Sequence, residues 1–416
     1  MSHLRAPPPP SFVDEEAVPE KASEATVRAS HSTPAAVAAH YNSSFHFAAA
    51  KKRKTLSSFR LRDFNNWVKS TLITGSFAHF AGGSAEVRRP PGPGCSSVSV
   101  VDMCGGKGGD LAKVAESGAT FTFLVDISVE SVREARRRWL NDKQRGRRHV
   151  PHAAFVVADV GTIAFLEHEP IASWLTGAGS AGKLPARTVS CQMAMHYCFD
   201  TEVRARRFLA NVSACLAPGG TFVGTMIDSA RLVARIRSQG KPVLSNTLYR
   251  VDTRATPAIL SGAGCPVFGA AYSFSLQDAV DDCMEYLVHW PTLVALAAEV
   301  DLEPVMLRNF HTYLADALVP PDDADHPLPE GQARALRELE SRGVFGNQGG
   351  TSMSDEEWEV AGLYAAFAFT KRGATDASAT TAPPDAFTVN APLPAALAND
   401  VVDLFTTTTT TTTTTT

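Results

Sequence analysis

The stretch that most constrains the fold lies between Val98 and Asp126, where two apolar runs flank a glycine-rich turn. The first run ends in Asp102 and breaks into the turn at 105–109, after which a helical pattern begins. The second run, 121–125, ends in Asp126, roughly 20 residues beyond the glycines. The pattern predicts a strand–loop–helix–strand unit that binds a nucleotide, with Asp126 placed to accept hydrogen bonds from ribose hydroxyls.

The alternation of strand and helix patterns continues beyond this unit. Strands are predicted at 98–102, 121–125, 154–158, 187–192, 220–226 and 363–370. Helices are predicted at 128–140, 202–216 and 291–300, and around Leu61, Phe64, Val68 and Leu72 before the first strand. Such alternation is typical of an α/β fold, here a Rossmann-like, mostly parallel and doubly wound sheet covered by helices on both faces.

Three segments interrupt the pattern inside the folded body, which we place at 36–373. The segment at about 240–290 is interpreted as an insertion with short strands of its own. Segment 170–186 is rich in Gly, Ala and Ser and predicts a surface loop, and 320–355 predicts a long polar loop.

The two ends of the chain lack hydrophobic periodicity. Residues 1–35 are rich in Pro, Ala, Ser and Glu, and 374–416 end in an unbroken threonine tract. We expect both segments to be disordered, because neither has enough apolar residues in a regular pattern to form a core.

Composition excludes several classes of protein. The formal net charge is −4, so the chain as a whole is not a basic nucleic-acid binder, although 133–148 carries eight Lys or Arg against two acids. The seven cysteines show no C-x-x-C pair, which predicts a reducing compartment and no metal site. The N-terminus lacks the apolar region of a signal peptide, and no apolar run is long enough for a membrane span.

Eight segments resemble one known family and occur in its order. They are VAAHYN (37–42), SSFRLRDFNNWVKSTLI (57–73), DMCGGKGGDLAK (102–113), SCQMAMHYCFD (190–200), LAPGGTFVGT (216–225), FGAAYSFSL (268–276), EYLVHWPTL (285–293) and EWEVAGLYAAFAF (357–369). Together they resemble the mRNA cap guanine-N7 methyltransferases, which are class I S-adenosylmethionine-dependent enzymes. The F-N-N-W-V-K-S string and the Q-x-x-x-H-Y string are the most specific of the matches.

The resemblance implies that the chain transfers a methyl group from S-adenosylmethionine to guanine N7 of the 5′ cap of mRNA. Guanine N7 carries a lone pair and no proton, so this transfer needs alignment of the reacting atoms and no general base. We therefore expect no catalytic residue beyond those that position the substrates, and no metal. Capped mRNA is the implied partner, with other capping enzymes or a transcription complex as further partners, and the nucleus is the implied location, which the KKRK run at 51–54 would suit.

The resemblance implies two sets of site residues. The cofactor would be bound by Lys69, Cys104, Gly106, Asp126, Asp159, Gln192 and Tyr197. The cap would be bound by Asn65, Asn66, Lys107, Lys113, Arg138, His196, Glu285 and Tyr364. Within the first set, Lys69 would reach the methionine carboxylate and Asp159 the adenine amino group.

Within the cap set, Glu285 would identify guanine, because a carboxylate accepts from N1–H and N2–H2 together and adenine has no such edge. Lys107, Lys113 and Arg138 resemble contacts to the triphosphate. Each assignment has a structural alternative: Asp126 could cap a helix, Asp159 could be a loop acid, and Glu285 alone would be an ordinary surface acid. A core histidine, a plain strand tyrosine and buried asparagines are the alternatives for His196, Tyr364, Asn65 and Asn66.

One residue departs from the family pattern. The family's loop has a glycine where this chain has Cys104, and a cysteine where it has Gly105. A side chain there would be strained if the position requires a conformation open only to glycine. A cap-binding protein with weak or no methyltransferase activity is therefore an alternative, and a small-molecule methyltransferase or a dinucleotide oxidoreductase is a more distant one.

Overall fold

Two β-sheets organise the part of the chain that the structure describes. The computed structural model describes residues 34–43, 58–79, 98–147, 149–169, 171–176, 185–318, 330–344, 352–373 and 401–403. The strands of the larger sheet are Ser99–Met103 (β1), Phe121–Asp126 (β2), His152–Val157 (β3), Ala186–Gln192 (β4), Leu216–Ile227 (β5), Leu302–Asn309 (β10), Tyr364–Lys371 (β11) and Val401–Asp403 (β12). The smaller sheet consists of Val243–Ser245 (β6), Tyr249–Asp252 (β7), Ala271–Leu276 (β8) and Val280–Tyr286 (β9).

The larger sheet has the order β10-β11-β5-β4-β1-β2-β3-β12, and β11 is antiparallel to both of its neighbours. The other described pairs in this sheet are parallel. The chain runs outward from β1 in one direction, through β2 and β3, and then returns to β4 on the other side of β1. A ligand crevice is expected at the carboxyl ends of β1 and β4, where the strand order reverses. The predicted mostly parallel α/β fold is confirmed.

Helices cover the larger sheet and join its strands. The longer ones are Pro34–Ser43 (α1), Phe59–Thr74 (α2), Val129–Gln144 (α4), Glu202–Cys215 (α6), Ser229–Gln239 (α7), Trp290–Ala298 (α9), Phe310–Leu318 (α10) and Glu330–Ser341 (α11). The shorter ones are Leu111–Glu116 (α3), Ile171–Thr176 (α5), Ala258–Ser261 (α8) and Asp355–Ala361 (α12). Every residue of β1 and β2 is buried, which explains why both strands appear in the sequence as continuous apolar runs.

The smaller sheet lies within the segment that was interpreted as an insertion. Its strands are all antiparallel, and Tyr272, Phe274 and Leu276 alternate with half-buried residues along β8. These buried side chains belong to the same hydrophobic cluster as Phe64 and Trp67 of α2. The sheet is therefore anchored to the helix that carries the F-N-N-W-V-K string.

Several details differ from the sequence predictions. The loop predicted at 320–355 contains α11, which buries Leu339, and the loop predicted at 170–186 contains α5, which buries Ile171 and Trp174. A few apolar residues among Gly, Ala and polar ones were enough to attach these helices to the core. Strand β10 and helices α7 and α10 were not predicted.

The predictions for the chain ends fall mostly outside the described residues. The exceptions are the start of α1 at Pro34 and strand β12, which pairs with β3 as a parallel edge strand. Strand β12 lies inside 374–416, so at 401–403 the structure differs from the predicted disordered tail.

Candidate functional site

A cavity of about 260 Å³ opens at the carboxyl ends of β1, β2 and β4. It is lined by all seven residues that were predicted to bind the cofactor, namely Lys69, Cys104, Gly106, Asp126, Asp159, Gln192 and Tyr197. Further lining residues include Tyr41 of α1, Asp102 of β1 and Asp110, which directly precedes α3. The parallel sheet thus brings together residues that are far apart in the sequence.

Asp126 is held rigidly at the end of β2. Its Oδ2 accepts a 2.8 Å hydrogen bond from the backbone N–H of Gly106, and its Oδ1 accepts one of 2.8 Å from the N–H of Ser128. Burial raises the pKa of this carboxyl, while the two backbone donors oppose the rise. The N-cap of α4 is Ser128, whose Oγ accepts from the N–H of Ser131, so the alternative of Asp126 as the helix cap does not apply.

The glycine loop shows how the chain accommodates Cys104. The backbone of Cys104 is left-handed, with φ at +58°, which is a region that non-glycine residues can occupy at a modest cost. Gly105 is under tighter constraint, because a Cβ there would lie 2.7 Å from Asp102 Oδ2 and from Leu124. The interchange of glycine and cysteine therefore puts the glycine where the packing leaves no room for a side chain. A hydrogen bond with the Cys191 thiol and burial raise the pKa of Cys104, so its thiol stays protonated.

A charged network joins α2 to the glycine loop. Lys69 Nζ lies 3.2 Å from Asp110 Oδ2, and Lys113 Nζ lies 2.7 Å from Asp110 Oδ1. The two lysines hold the pKa of Asp110 below its usual value despite burial. Lys113 also donates a 3.0 Å hydrogen bond to Asn66 Oδ1.

Lys113 has protein partners that the sequence did not predict. It was grouped with Lys107 and Arg138 as a contact to one anionic chain, but it is buried and its ammonium group is used by Asp110 and Asn66. The cause is helical spacing: Lys113 lies three residues after Asp110, and this spacing directs it back to the carboxylate.

Asp102 leaves an unused acceptor beside this network. Its Oδ2 is buried and has no hydrogen-bond partner within the described part of the chain. Burial and the nearby Asp110 carboxylate raise the pKa of Asp102. A buried oxygen of this kind at the wall of a cavity is well suited to accept from a positively charged ligand group.

Asp159 is paired with an arginine that the sequence did not indicate. Arg204 Nη1 lies 2.6 Å from Asp159 Oδ2, and Arg204 Nη2 lies 3.2 Å from Asp159 Oδ1. The N–H of Gly161 donates to Asp159 Oδ1 at 3.0 Å. Asp159 is therefore a fixed carboxylate at the cavity wall and not a free loop acid.

Gln192 and Tyr197 are also fixed by neighbours. Gln192 Nε2 donates to Ser190 Oγ at 2.9 Å, and Gln192 Oε1 accepts from Thr225 Oγ1 at 3.0 Å. The hydroxyl of Tyr197 lies 3.0 Å from that of Tyr41 and 3.3 Å from Cys283 Sγ. Tyr197 thus connects the cavity to α1 on one side and to β9 on the other.

A buried acid lies next to Tyr197. Glu285 faces Tyr272 across the β8–β9 pair, and the Tyr272 hydroxyl donates to Glu285 Oε2 at 2.8 Å. His196 Nε2 lies 3.5 Å from Glu285 Oε1, and the ring of His196 lies 4.3 Å from the ring of Tyr197. Burial raises the pKa of Glu285 to about 8 and lowers the pKa of His196 to about 3.

This group has more hydrogen-bonding capacity than the protein uses. Neither ring nitrogen of His196 has a hydrogen-bond partner among the described residues, although the side chain is buried. The surface-acid alternative does not apply to Glu285, which is 4% exposed. Burying an acid and a histidine this way is costly, and such groups are typical of ligand sites.

Of the other predicted cap residues, Tyr364 lies near Glu285, and Asn65 lies on α2. Tyr364 at the start of β11 is buried against Phe274 and Phe310, and the nearby Glu285 contributes to its raised pKa. Asn65 has a buried Oδ1 that no described residue bonds. Tyr364 and Asn65 are thus placed by the core formed by α2, β8 and β11.

Lys107 and Arg138 lie near each other on the glycine loop and α4. Burial and the Arg138 charge lower the pKa of Lys107. Arg138 also donates to Glu134 Oε1 at 2.9 Å. Of the three basic residues predicted to face one anion, these two are brought together.

Among the described residues there is neither a candidate metal site nor a candidate membrane-spanning helix. No group of three or more His, Cys, Asp or Glu side chains there has a geometry that could hold a metal ion. None of the helices described is both long and apolar enough to cross a membrane.

The strand order 3-2-1-4-5, followed by an antiparallel strand and an outer parallel one, is the sheet of the class I methyltransferases. The glycine loop after β1 and the acid at the end of β2 belong to the same class. A model of the mRNA (guanine-N(7))-methyltransferase domain matches residues 24–372. The chain belongs to the mRNA cap guanine-N7 methyltransferase family, and is thus an enzyme of the S-adenosylmethionine-dependent class, as the sequence predicted.

Curated relatives of this chain are named as mRNA cap guanine-N(7) methyltransferases. The mRNA cap guanine-N(7) methyltransferase 1 of Oryza sativa is 34% identical over 339 residues, which cover 81% of each chain. The mRNA cap guanine-N(7) methyltransferase of Drosophila melanogaster is 31% identical over 350 residues, covering 80% of this chain and 77% of the relative. Among solved structures, the plantazolicin methyltransferase BpumL in complex with SAH is 12% identical, with a TM-score of 0.39, over 81% of this chain and 96% of that one.

Sequence reasoning missed five residues at the site. They are Tyr41, Asp102, Asp110, Arg204 and Tyr272. Four of these lie inside segments that carried the resemblance, so a closer look at each polar residue there could have found them. Arg204 lies in no such segment, and nothing in the sequence indicates that it pairs with an acid 45 residues earlier.

Proposed function

We propose that this chain transfers the methyl group of S-adenosylmethionine to N7 of the guanine in the 5′ cap of mRNA. The observation that carries the proposal is that Tyr197 lines the cavity and also packs on His196, which lies beside the buried Glu285. A nucleoside site and a site with guanine-matched polarity are thus neighbours across one aromatic ring.

The cavity residues suit each part of S-adenosylmethionine, which supplies a methyl group on a positively charged sulfur. Asp126 would accept from the ribose hydroxyls, since its carboxylate is already oriented by two backbone donors. Asp159, held by Arg204, would accept from the adenine amino group. Lys69 would hold the methionine carboxylate, and the unpartnered Asp102 Oδ2 would accept from its ammonium group.

Glu285 and its neighbours suit the guanine edge. One oxygen of Glu285 is bonded by Tyr272, and the other faces His196, whose ring nitrogens have no hydrogen-bond partner among the described residues. A guanine would supply two hydrogen-bond donors to the carboxylate, and these would lower the free-energy cost of ionising this buried group. Adenine would leave the carboxylate without those donors, and a buried unpaired acceptor costs about 1–3 kcal/mol or more.

The chain needs no base for this reaction, because N7 has no proton to lose. Its contribution is to orient N7 towards the methyl group and to exclude water, which can account for about 7–11 kcal/mol of a barrier. His196 stays neutral because burial lowers its pKa to about 3, so it adds no positive charge beside a purine that becomes cationic. Lys107 and Arg138 would bind the triphosphate through charge-assisted contacts.

The cap-binding alternative rested on Cys104. Its left-handed backbone is one that a small side chain can adopt, and the cavity beside it remains open. No observation on the described residues favours loss of cofactor binding.

The finer biological setting is also part of the proposal. Caps are methylated on young transcripts, so we place the enzyme in the nucleus with other capping enzymes or a transcription complex. The KKRK run at 51–54, which would suit nuclear import, lies outside the described residues.

A methyl-transfer assay tests the proposal. Radiolabelled S-adenosylmethionine is incubated with the protein and RNA that ends in GpppN, and the cap is released by nuclease and identified. We expect label in 7-methylguanosine and none when the terminal base is adenine. Equal labelling of the adenine-capped control, or label elsewhere in the RNA, would contradict the proposal.

A further inference from the structure

The exposed face of α4 has an unusual charge for this protein. Between 129 and 147 the chain has seven Lys or Arg against three Asp or Glu, whereas the whole chain has 39 against 43. Arg133 and Arg137 lie one turn apart on one ridge of the helix, whereas Lys143 lies on another side near the helix end and Arg145 follows the last residue, Gln144. The side chains of Arg133 and Arg137 are each 63% exposed, and Arg145 and Lys143 are exposed as well.

This basic surface lies beside the candidate site. The glycine loop packs directly on α4, since a Cβ at Gly108 would lie 3.0 Å from the Cβ of Ala135. Arg138, one turn beyond Ala135, is close enough to Lys107 of that loop for its charge to help lower the pKa of Lys107. Arg138 shares Glu134 with the exposed Arg137, so the two predicted triphosphate contacts adjoin the exposed cations of α4.

Nearby acids neutralise only part of the positive charge on α4. Glu130 pairs with Arg133, and Glu134 pairs with both Arg137 and Arg138. The Glu130–Arg133 pair is exposed and therefore weak, at about 0–1 kcal/mol, so Arg133 can exchange it for a phosphate at little cost. Glu134 is buried and bonds Arg137 through both carboxylate oxygens, so that pair is stronger. Lys143 stands over the ring of Trp139, with Nζ 4.2 Å from its centroid, and this contact keeps the ammonium group on the surface.

We infer that the basic face of α4, defined by Arg133, Arg137, Lys143 and Arg145, binds the RNA that follows the cap triphosphate. The inference rests on the proposed function, because it takes the triphosphate to lie at Lys107 and Arg138. Nucleotides attached to that triphosphate must leave the site along some surface. Helix α4 has 16 residues, which is about 24 Å, and offers exposed cations over several nucleotides.

Contacts of this kind bind phosphates and do not distinguish bases. The α4 face should therefore increase affinity for long transcripts of any sequence, and it should do nothing for a cap without RNA. An acidic protein partner on the same face would not produce such dependence on RNA length, and this difference separates the two occupants.

The test compares two substrates and two triple variants. R133Q/K143Q/R145Q removes three charges from the α4 face and leaves Arg137 in place, because Arg137 shares Glu134 with Arg138. The matched control, R206Q/R254Q/R372Q, removes three exposed arginines that also form ion pairs but lie outside the cavity lining. The substrates are the dinucleotide GpppG and a capped transcript of about 20 nucleotides, a length that offers a polyanion to the α4 face.

For the α4 variant we expect kcat/KM on the transcript to fall about tenfold at low salt, with the salt-dependence slope reduced by about 2. Its kcat/KM on GpppG should stay within about twofold of the wild type, as should both values for the control variant. Equal losses on the two substrates, or no loss on the transcript, would overturn the inference.

A double variant, R133Q/R145Q, keeps Lys143 on Trp139 and gives the same comparison if the triple variant does not fold. If the wild-type protein methylates neither substrate, the proposed function fails, and this outcome is distinct from failure of the RNA path.

Discussion

At the scale of single residues, burial of the Glu285 carboxyl group costs free energy but makes it suited to recognise guanine. It is buried against Tyr272 and His196, and its pKa is raised to about 8. A carboxylate that only stabilised the fold would not be expected in such a place. The cost is understandable if guanine supplies the missing donors.

Replacing Glu285 with Gln should separate cap recognition from cofactor binding. The amide keeps the shape but presents a donor to the guanine donors, so kcat/KM on capped RNA should fall by about 100-fold or more. The affinity for S-adenosylhomocysteine, measured by calorimetry, should stay within about threefold because Glu285 does not line the cavity. A variant that methylates caps at the wild-type rate would contradict the assigned guanine contact.

The raised pKa of Glu285 predicts a pH dependence with a defined sign. Guanine binds the ionised form, so below pH 8 the cap affinity should rise with pH, about tenfold per unit, and level off above it. Close to one proton should leave the protein for each cap bound at pH 7. Calorimetry in two buffers of different ionisation enthalpy measures this release, and E285Q should abolish it. A pH-independent cap affinity in the wild type would contradict the prediction.

Ionisation of Glu285 should increase cap affinity with pH but decrease the stability of the free protein. Because the folded-state pKa is above the unfolded value of 4.5, the free energy of unfolding should decrease as pH rises from 4.5 to 8. E285Q removes this penalty and should raise the Tm of the free protein at pH 8, as measured by thermal unfolding. A lower Tm in E285Q would indicate that the carboxylate is structural.

Cys104 and Gly105 offer a matched pair of variants. Since Cys104 already adopts the left-handed conformation, C104G should change the affinity for S-adenosylhomocysteine by less than about threefold. G105A should lower that affinity by at least about tenfold, because its Cβ would collide with Asp102 and Leu124. Calorimetry measures both. A large gain in affinity from C104G would instead support the idea that Cys104 weakens the cofactor site.

At the scale of elements, α1 is the piece that completes the cavity. Its Tyr41 reaches the hydroxyl of Tyr197, and Asn42 Oδ1 accepts from Ser128 Oγ at 2.6 Å and from the N–H of Glu130 at 3.4 Å. Asn42 thereby attaches α1 to the N-terminus of α4, directly beside Asp126. The helix was not predicted, although its VAAHYN string was among the family matches.

N42A should loosen α1 without removing any lining residue. Loss of these hydrogen bonds, at about 1 kcal/mol, should weaken S-adenosylhomocysteine binding about five- to tenfold and speed its dissociation. N246A is a suitable control, since Asn246 bonds Glu359 and the Glu356 carbonyl at a place that does not line the cavity. Equal effects of the two substitutions would point to general destabilisation instead of a role for α1.

Elements with strong local patterns could be predicted, and those stabilised by distant contacts could not. The buried runs of β1 and β2 and the acid at the end of each were clear in the sequence. Helices α5 and α11 were missed because they depend on a few apolar side chains, such as Trp174 and Leu339, that find partners far along the chain. The sequence also did not indicate that Lys113, which was assigned to the triphosphate, pairs with Asp110 three residues before it and with Asn66 on α2.

At the scale of the whole molecule, the strand order accounts for the site. The reversal beside β1 brings Cys104, Asp126 and Gln192 to one crevice, and the insertion between β5 and β10 brings Glu285 next to it. Which residues meet is set by this topology, whereas the sequence alone could indicate only their types. The resemblance to a known family was needed to assign a role to each of these residues.

The most direct measurement is a crystal structure of the protein with S-adenosylhomocysteine and the dinucleotide GpppG. The guanine should hold its N1 and N2 edge against Glu285 while its N7 faces the sulfur across the space beside Tyr197. A purine bound away from the sulfur, or with another edge on Glu285, would contradict a mechanism that relies on alignment alone.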